Sequence, residues 1–330
     1  MIETIIAALQ ALLASAANQL GGTFLAPESS FSLAALAASF ALLVILAVPR
    51  GRKRRVRPAA LLRALFPRRL WRSASGRADI AWFALGLVFA GVLIGWAVFS
   101  ANQVHALLGL ALGTQPMLLP GWAGGAVATL ALFLAYEFGY WAHHFAMHRI
   151  PALWHFHKVH HSAESLSLLT SGRVHPVESV LFHNVVALSM GTTAALLGAS
   201  IGEAAPLGVG GTNALILIAA VTITHLQHSH LWIGFGPVWG RWLLGPAHHQ
   251  IHHSADPTHF DRNLGSSLAV FDRLFGTFHI PAHRREKLRF GVDDGETAPH
   301  GLRAATIQPF LSAAGVAIPK IGGTLSTPIA

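Results

Sequence analysis

Residues 123–148 read AGGAVATLALFLAYEFGYWAHHFAMH, an apolar run that passes directly into histidines. About 20 apolar residues are enough for a helix to cross the hydrocarbon core of a bilayer. Tyr140 and Trp141 follow the apolar run, and such aromatic side chains favour the interface between membrane and water. His144 and His148 then share one helical face, because residues four apart project in the same direction. The stretch predicts a transmembrane helix that presents two imidazoles to one metal ion at the membrane surface.

The composition of the whole chain indicates an integral membrane protein. Of its 330 residues, 53% are hydrophobic and only 11% are charged, whereas a soluble globular domain carries about 25% charged residues. The chain has no cysteine. This excludes disulfides, thiolate-bound metals and cysteine nucleophiles, so nitrogen and oxygen atoms must supply any metal ligands.

Other apolar runs predict further membrane helices. Phe31–Val48 and Ile80–Ser100 contain no charged residue and are long enough to span a bilayer. Residues 180–197 and 208–224, separated by a short turn, predict a helical hairpin whose return arm ends at His225. We therefore expect an all-α integral membrane fold with a bundle of about four transmembrane helices.

The positive charges predict the orientation of these helices. Eleven of the 23 Lys and Arg residues lie between Arg50 and Arg77, whereas residues 1–30, 101–122 and 199–207 contain none. Because basic residues favour the cytosolic flank of a span, the basic loop and all histidine clusters are expected on the cytosolic side. Such a loop suits anionic lipid. Nucleic acid is not an expected partner, because no groove of interleaved aromatic and basic residues is present.

The chain divides into four predicted segments. Residues 1–30 are expected to form an interfacial helix, because they lack the basic start of a signal peptide and contain Glu3 and Gln10; a further membrane span is the alternative. Residues 31–79 hold the first transmembrane helix and the basic cytosolic loop. Residues 80–285 form the catalytic membrane domain. Residues 286–330 are a C-terminal tail, and its last thirty residues predict irregular structure.

The histidines recur at fixed spacings. Nineteen of the 21 lie between His143 and His283. Residues 157–161 and 249–253 both have the pattern H-x-x-H-H, which places three imidazoles on one side of a helix. With His144 and His148 they make eight clustered imidazoles, more than the three or four that one zinc ion takes. The spacing predicts two metal ions, and imidazole ligation leaves zinc, copper, iron and nickel open.

Four acidic residues are candidates for orienting the histidines. Glu137 lies seven residues before His144 on the same helical face, where an ionisable group is costly unless it is paired. We expect its carboxylate to accept the second ring N–H of a ligand histidine. The alternative is an interfacial ion pair of Glu137 with Arg149 or Arg173. The orienting role is also open to Glu178, Asp261 and Asp272.

Six segments of the chain carry a resemblance to a known family: YWAHHFAMHRIP (140–151), LWHFHKVHHS (153–162), RVHPVE (173–178), QHS (227–229), PAHHQIHH (246–253) and DRLFGT (272–277). In order and approximate spacing they closely resemble the fatty acid hydroxylase and sterol desaturase superfamily. LFPRRLWR (65–72) also resembles a stretch common in bacterial members. The resemblance covers roughly residues 60–280.

This resemblance implies a non-haem di-iron membrane enzyme that hydroxylates or desaturates a lipid, with dioxygen as co-substrate and two electrons from a separate donor of ferredoxin or cytochrome type. It implies a helical bundle in the bacterial inner membrane, with a cytosolic cap that carries the metal site. The positions matching the family's ligand motifs are His144, His148, His157, His160, His161, His249, His252 and His253, and those matching its two additional histidines are His175 and His228.

Three positions depart from the residues that are common in the family. Phe145 stands where many members have Arg, His230 where Asn is common and Leu264 where Tyr is common. None of the three removes a motif histidine. They are expected to alter the surroundings of the ligands, and His230 is a competing ligand.

Other functions compete with lipid hydroxylation. A lipid or sterol desaturase would use the same site, because both reactions begin with the same hydrogen abstraction. A metal-ion transporter needs polar residues deep in its spans, and the runs 31–48 and 80–100 carry no charge. A zinc hydrolase needs one metal with an open water position, and the surplus of ligands argues against it. Hydroxylation of a fatty acyl, sphingoid, aminolipid or sterol-like substrate is the expected reaction.

Overall fold

The computed structural model describes residues 32–47, 66–95, 99–292 and 300–315, together with isolated positions before residue 26 and Arg63. Within these ranges the chain is mostly helical with little sheet, which agrees with the predicted class. The predicted interfacial helix of residues 1–30 and most of the basic loop lie outside the described residues. The helices are α1 (Leu33–Ala47), α2 (Arg68–Arg72), α3 (Ala74–Gly95), α4 (Ala101–Leu112), α5 (Gly121–Arg149), α6 (Pro151–His161), α7 (Pro176–Ile201), α8 (Ala214–Thr222), α9 (Gly236–Trp239), α10 (Pro246–His252), α11 (Val270–Leu274) and α12 (Leu302–Ala313).

The short elements connect these helices. Three turns of 3-10 helix are formed by Leu168–Gly172, Thr224–Leu226 and Pro257–His259. A two-stranded antiparallel hairpin pairs β1 (Gly208–Val209) with β2 (Thr212–Asn213).

Helices α5 and α7 form the centre of the described structure. They run antiparallel, since Tyr140 packs on Phe182 near the start of α7 while Ser189 donates a hydrogen bond to the carbonyl of Ala135 further along. Gly139 permits this close packing, because a Cβ there would lie 3.1 Å from the Cα of Val186. With 29 and 26 residues, they are the two helices among the described residues that are long and apolar enough to cross a membrane.

The other predicted spans are shorter or differently placed. The runs Phe31–Val48 and Ile80–Ser100 correspond to α1, with 15 residues, and α3, with 22. Helix α3 begins at Ala74, before the apolar run, because the Ser73 hydroxyl accepts a hydrogen bond from the backbone N–H of Gly76 and caps the helix.

The predicted return arm over 208–224 is not one continuous helix. Gly210 and Gly211 adopt positive φ and turn the chain back in the β hairpin. Asn213 then caps α8 by accepting hydrogen bonds from the N–H groups of Leu215 and Ile216. Helix α8 has nine residues, which rise only about 14 Å, against about 30 Å for a hydrocarbon core.

The prediction of an irregular C-terminal tail is wrong for residues 302–313, which form α12. Ala305 packs with Trp82 of α3 and Val159 of α6 in a buried cluster, and Phe310 contacts Phe156. Burial of this apolar face stabilises the helix although Pro309 lies inside it. Helix α12 thereby covers the back of α6, whose other side carries histidines.

Both H-x-x-H-H segments lie on helices that begin with a proline. Pro151 opens α6 directly after α5, and Pro246 opens α10 after Gly245. Proline suits the first helical position because its missing N–H has no partner to lose there. The two short helices bring their histidines against the end of α5, with the rings of His148 and His157 centred 4.9 Å apart and those of His148 and His252 also 4.9 Å apart.

Candidate metal centre

Nine buried or nearly buried histidines converge into two groups. In each group the candidate ligand nitrogens all lie within 4.8 Å of one another. Group A comprises His144, His148, His157, His161 and His252, and group B comprises His160, His228, His249 and His253. The groups adjoin, with the rings of His161 and His253 centred 4.5 Å apart.

The H-x-x-H-H pattern divides its histidines between the two groups. On α6, His157 and His161 belong to group A, whereas His160 belongs to group B. On α10 the assignment is reversed, because His249 and His253 belong to group B and His252 belongs to group A. Each helix therefore contributes its i, i+4 pair to one group and its i+3 residue to the other. This crossed arrangement makes α6 and α10 common walls of both groups.

In group A, most rings are held through Nδ1. His144 Nδ1 donates to the carbonyl of Leu264 at 2.8 Å and His252 Nδ1 to the carbonyl of Arg262 at 2.9 Å. Because a carbonyl oxygen only accepts, these nitrogens carry the ring proton and Nε2 presents its lone pair. His157 Nδ1 lies 2.8 Å from Glu178 Oε1, and His148 Nδ1 lies 3.2 Å from Asp261 Oδ1.

The free nitrogens of group A fit a bound cation. His157 Nε2 lies 3.0 Å from His144 Nε2 and 3.1 Å from His161 Nε2. With Nδ1 protonated on His144 and His157, no proton separates their two lone pairs. His148 Nε2 and His252 Nε2 are buried, and within the described part of the chain they have no hydrogen-bond partner. Converging lone pairs and unpaired buried nitrogens are the donor set that a transition metal requires.

Group B repeats this geometry. His160 Nδ1 donates to the carbonyl of Arg173 at 3.2 Å, which leaves its Nε2 facing His228 Nε2 at 3.0 Å. His228 Nε2 lies 2.8 Å from His249 Nε2, and His249 Nε2 lies 3.2 Å from His253 Nε2. The four nitrogens thus point at a common centre and fit a second metal ion.

Burial keeps these rings neutral in the metal-free protein. It lowers the pKa of His160 to about 4 and that of His249 to about 3. Burial also lowers the pKa well below the usual range in His157, His161, His228, His252 and His253. Neutral imidazole is the form that binds metals, so the rings are ready to bind at pH 7.

The lowered pKa values predict that acid destabilises the metal-free protein. An unfolded chain binds protons at its histidines below about pH 6.5, whereas the buried rings stay neutral until the pH falls to their lower folded pKa. Because the unfolded state then binds more protons, the free energy of unfolding falls as the pH drops from about 6.5 towards 4. Thermal unfolding in detergent after chelation, measured at several pH values, should show this fall. An unfolding temperature that is constant between pH 7 and 5 would contradict it.

A single loop orients three of the five group A rings. Residues 261–264 supply the Asp261 carboxylate to His148, the Arg262 carbonyl to His252 and the Leu264 carbonyl to His144. Asp261 and Asn263 have φ of 57° and 56°, a left-handed conformation that is costly outside glycine. Asp272 stabilises the loop by accepting hydrogen bonds from the N–H groups of Leu264 and Gly265.

The acidic residues thus have different roles from one another. Glu178 and Asp261 lie at ring nitrogens, as expected, whereas Asp272 contacts no ring and instead accepts hydrogen bonds from the loop backbone and from the Thr277 hydroxyl. The prediction for Glu137 is wrong: its carboxylate accepts hydrogen bonds from the N–H groups of Ser267 and Leu268 and from the Ser267 hydroxyl. The ion pair with Arg149 or Arg173 is also not formed. The reason is that the chain after the orienting loop packs against this face of α5 and occupies the carboxylate.

The structure places His175 outside both groups. Its Nδ1 accepts the N–H of Val177 as a cap of α7, and its Nε2 lies 3.0 Å from the carbonyl of Thr306 on α12. Both ring nitrogens are therefore used in holding α7 and α12. His230 also lies outside the groups, and His248 bonds Gly240 and Gly245 of the neighbouring turn.

The fatty acid hydroxylase family matches residues 129–277, a segment that contains both histidine groups. Residues 129–277 are thus similar to this family, and we call them the hydroxylase-like segment. The resemblance read from the sequence is thereby confirmed.

Curated relatives of this chain act on lipids, according to their names. Alkylglycerol monooxygenase of Xenopus tropicalis is 27% identical over 173 residues, 48% of this chain and 32% of the relative. Ornithine lipid hydroxylase OlsE of Rhizobium tropici is 32% identical over 191 residues, 57% of this chain and 52% of the relative. Very-long-chain aldehyde decarbonylase GL1-1 of Oryza sativa subsp. indica is 27% identical over 210 residues, which are 60% of this chain and 32% of the relative. The aligned regions span one third to about half of these relatives, and no solved structure matches the chain.

A buried arginine supports group B of the histidines. Arg173 is fully buried and donates to the carbonyl of Val159, to the Ser162 hydroxyl and to Asp79, which is also fully buried. The carbonyl of the same residue accepts the ring N–H of His160. The pair of Arg173 and Asp79 therefore connects α3 and α6 at the point where His160 is oriented.

A cavity of about 300 Å³ opens beside group A. His148, His161 and His252 line it, together with the aromatic rings of Trp154 and Phe260. Its volume is at the lower end of the range for small-molecule sites. The cavity therefore reaches the histidine side chains of group A.

Removal of the Glu178 carboxylate is expected to weaken metal binding in group A. Glu178 fixes the tautomer of His157, and loss of such a partner typically costs about 10–100-fold in metal affinity. Glu178→Ala should shift a metal titration of purified protein by this factor, while Glu164→Ala, at an exposed carboxylate bonded to His300, should not. Equal affinities of the two variants would show that Glu178 has no orienting role.

Proposed function

We propose that this chain is a membrane-bound lipid monooxygenase whose two histidine groups hold two iron ions. The observation that carries the proposal is the convergence of nine ring nitrogens on two adjacent centres, with the opposite nitrogens of five rings held by carboxylates or carbonyls. Imidazole ligation permits several metals, and the iron-dependent family favours iron. Group A would hold one ion and group B the other, without His175.

The proposed overall reaction is RH + O₂ + 2 e⁻ + 2 H⁺ → ROH + H₂O, where RH is a lipid. When bound, the iron pair supplies the binding and reduction of dioxygen. The residues of the chain supply the rest: Glu178 and the loop 261–264 fix the rings of group A, and Arg173 fixes His160 of group B. Burial of the groups excludes water from the reacting atoms, which prevents side reactions of the activated oxygen.

The names of the relatives favour hydroxylation over desaturation. A monooxygenase and a hydroxylase align with this chain, and both act on lipids with polar head groups by their names. We accordingly propose a lipid with a polar head group, either an ether lipid of glycerol or an aminolipid. The two electrons are proposed to come from a separate donor of ferredoxin or cytochrome type.

The test is incorporation of labelled oxygen by the reconstituted protein. The iron-loaded chain in lipid nanodiscs would receive a chemical electron donor system, ¹⁸O₂ and a panel of an alkylglycerol, an ornithine lipid and a free fatty acid. Mass spectrometry should find one labelled oxygen in one of these lipids. Loss of two hydrogens without label would instead identify a desaturase, and metal flux through liposomes without lipid oxidation would identify a transporter.

A cytosolic active site in the bacterial inner membrane is part of the proposal. It is supported by the basic residues of the 50–77 loop and by the position of both groups at one end of the antiparallel pair α5 and α7. Because the chain has no cysteine, a single introduced cysteine shows directly on which side of the membrane its position lies. A membrane-impermeant maleimide should label Thr114→Cys in intact cells and Thr258→Cys only after the membrane is opened. The reverse pattern would invert the topology.

A further inference from the structure

The hydroxylase-like segment exposes a compact apolar surface beside the end of α5. It is formed by α9, the turn that follows it and the end of α11. We call this surface the tryptophan patch; its members are Val238, Trp239, Trp242, Leu274 and Phe275, with exposed fractions of 66%, 66%, 54%, 70% and 55%. Contiguous exposed side chains of this size mark a surface that contacts something other than water.

The patch is a rigid part of this segment. The N–H of Trp242 bonds the carbonyl of Trp239, and the carbonyl of Trp242 accepts the N–H of Ala269. The guanidinium of Arg273 lies over the ring of Trp242 at 4.3 Å, which joins the two halves of the patch. Leu268, beside Ala269, is bonded to Glu137 of α5. Glu137 thus fixes the height of the patch along the membrane helix.

That height corresponds to the inner boundary of the bilayer. Trp122 and Trp141 stand 19 positions apart on α5, which is about 29 Å along a helix and matches a hydrocarbon core of about 30 Å. Trp122 is exposed and suits one interfacial belt, whereas Trp141 is buried and marks the level of the other belt through the exposed ring that packs on it. Phe275 stacks on Trp141 at 4.3 Å, and Phe271 contacts Phe138 at 5.4 Å. The patch is therefore level with the inner belt.

The positive charge of the patch favours contact with an anionic surface. Arg241 and Arg273 are exposed among the aromatic rings. Residues 231–245 contain no acidic residue, and Asp272 is buried with its carboxylate bonded to the orienting loop. Exposed tryptophans with interspersed arginines suit the head-group layer of a membrane that contains anionic lipid.

We propose that the tryptophan patch is a second membrane contact, which inserts into the head-group region against anionic phospholipid. This goes beyond the proposed reaction, and it depends only on α5 crossing the bilayer. His144 follows Trp141 by three residues, about 4.5 Å along the helix. The patch therefore holds the metal groups at a fixed depth just outside the hydrocarbon, where a lipid chain reaches them without leaving the membrane.

Spin labels on single cysteines test the contact, since the chain contains no other cysteine. Trp239→Cys and Leu274→Cys would be labelled in full-length protein in nanodiscs with anionic lipid. Thr258→Cys is the control, because Thr258 is exposed but lies outside both the patch and the cavity beside group A. At 239 and 274 the label should collide several-fold more with oxygen than with a water-soluble nickel chelate, and at 258 the preference should reverse.

Three results would count against the proposal. A nickel preference at 239 and 274 equal to that at 258 would place the patch in water. Low collision with both reagents would show that protein, such as a second copy of the chain, covers it. Arg241→Gln with Arg273→Gln should abolish the extra oxygen preference gained on passing from neutral to anionic lipid; an unchanged gain would exclude head-group recognition. Metal content of each variant confirms folding, so this outcome is independent of the proposed reaction.

Discussion

Replacing His252 with alanine is expected to empty group A while group B keeps its metal, and replacing His160 is expected to do the opposite. The crossed arrangement of the H-x-x-H-H helices assigns the two residues to different groups, although both are the i+3 residue of their pattern. Each variant should therefore fall from about two metal ions per chain to about one, since a site that loses a fixed ligand loses affinity steeply. Elemental analysis of purified protein measures this directly.

Lipid oxidation should fall by at least about 100-fold in both variants, because one remaining ion cannot replace the pair. His279→Ala is the matched control: its ring lies outside both groups, and its backbone N–H keeps its bond to Asn263. Loss of both metals in either single variant would show that the two groups form one indivisible site. Full metal content in both variants would remove the metal centre from the proposal.

The parts of the fold that the sequence predicted well are those governed by apolar length. The run before Tyr140 and Trp141 is found as α5, and residues 180–197 lie inside α7. The predictions of secondary structure were wrong where local backbone conformation or tertiary packing overrides the apolar pattern. The Gly210–Gly211 turn and the Asn213 cap interrupt the return arm. Helix α12 was not predicted, because Pro309 and a short apolar face give a weak helical pattern; tertiary packing on α6 stabilises the helix.

The sequence predicted which histidines form the candidate site, but not how they divide between the two groups or which atoms orient their rings. Nine of ten predicted ligands lie in the two groups. Eight of them follow from histidine spacing, because residues three and four apart on a helix share a face, whereas His228 was predicted from the family resemblance. The division of each H-x-x-H-H between two groups depends on how α6 and α10 face each other, which spacing does not contain. The carbonyls of Arg262, Leu264 and Arg173 orient rings through backbone atoms, so the side chains at these positions do not predict the contacts.

For Glu137 the sequence predicted that the carboxylate needs a partner, but not which partner it has. Its position on the helical face of His144 was correctly taken as a reason for pairing, but a buried carboxylate accepts any available donor. The chain after the loop 261–264 supplies three such donors. Asp79 was overlooked, although a lone acid at the start of an apolar helix signals a buried partner.

Asp79→Ala is expected to be the most destabilising substitution outside the metal ligands. It would leave the fully buried guanidinium of Arg173 without its counter-ion, and breaking a buried pair in this way typically costs about 3–5 kcal/mol. The hydroxyls of Thr170 and Ser167 would also lose their acceptor. A thermal unfolding temperature lower by on the order of 10 °C should follow in detergent. His160 is oriented by the Arg173 carbonyl, so group B should lose metal before group A does.

Two further variants separate this cause from a general effect of mutating α3. Arg77→Ala, two residues earlier, removes an exposed guanidinium whose one hydrogen bond among the described residues is to the Arg72 carbonyl, and it should leave the unfolding temperature nearly unchanged. In the double variant Asp79→Leu with Arg173→Met no charge is left unpaired, so the loss should be smaller than the sum of the two single losses. Strictly additive losses would show that the two side chains stabilise the fold independently, and that the ion pair is not what joins α3 to the histidines of group B.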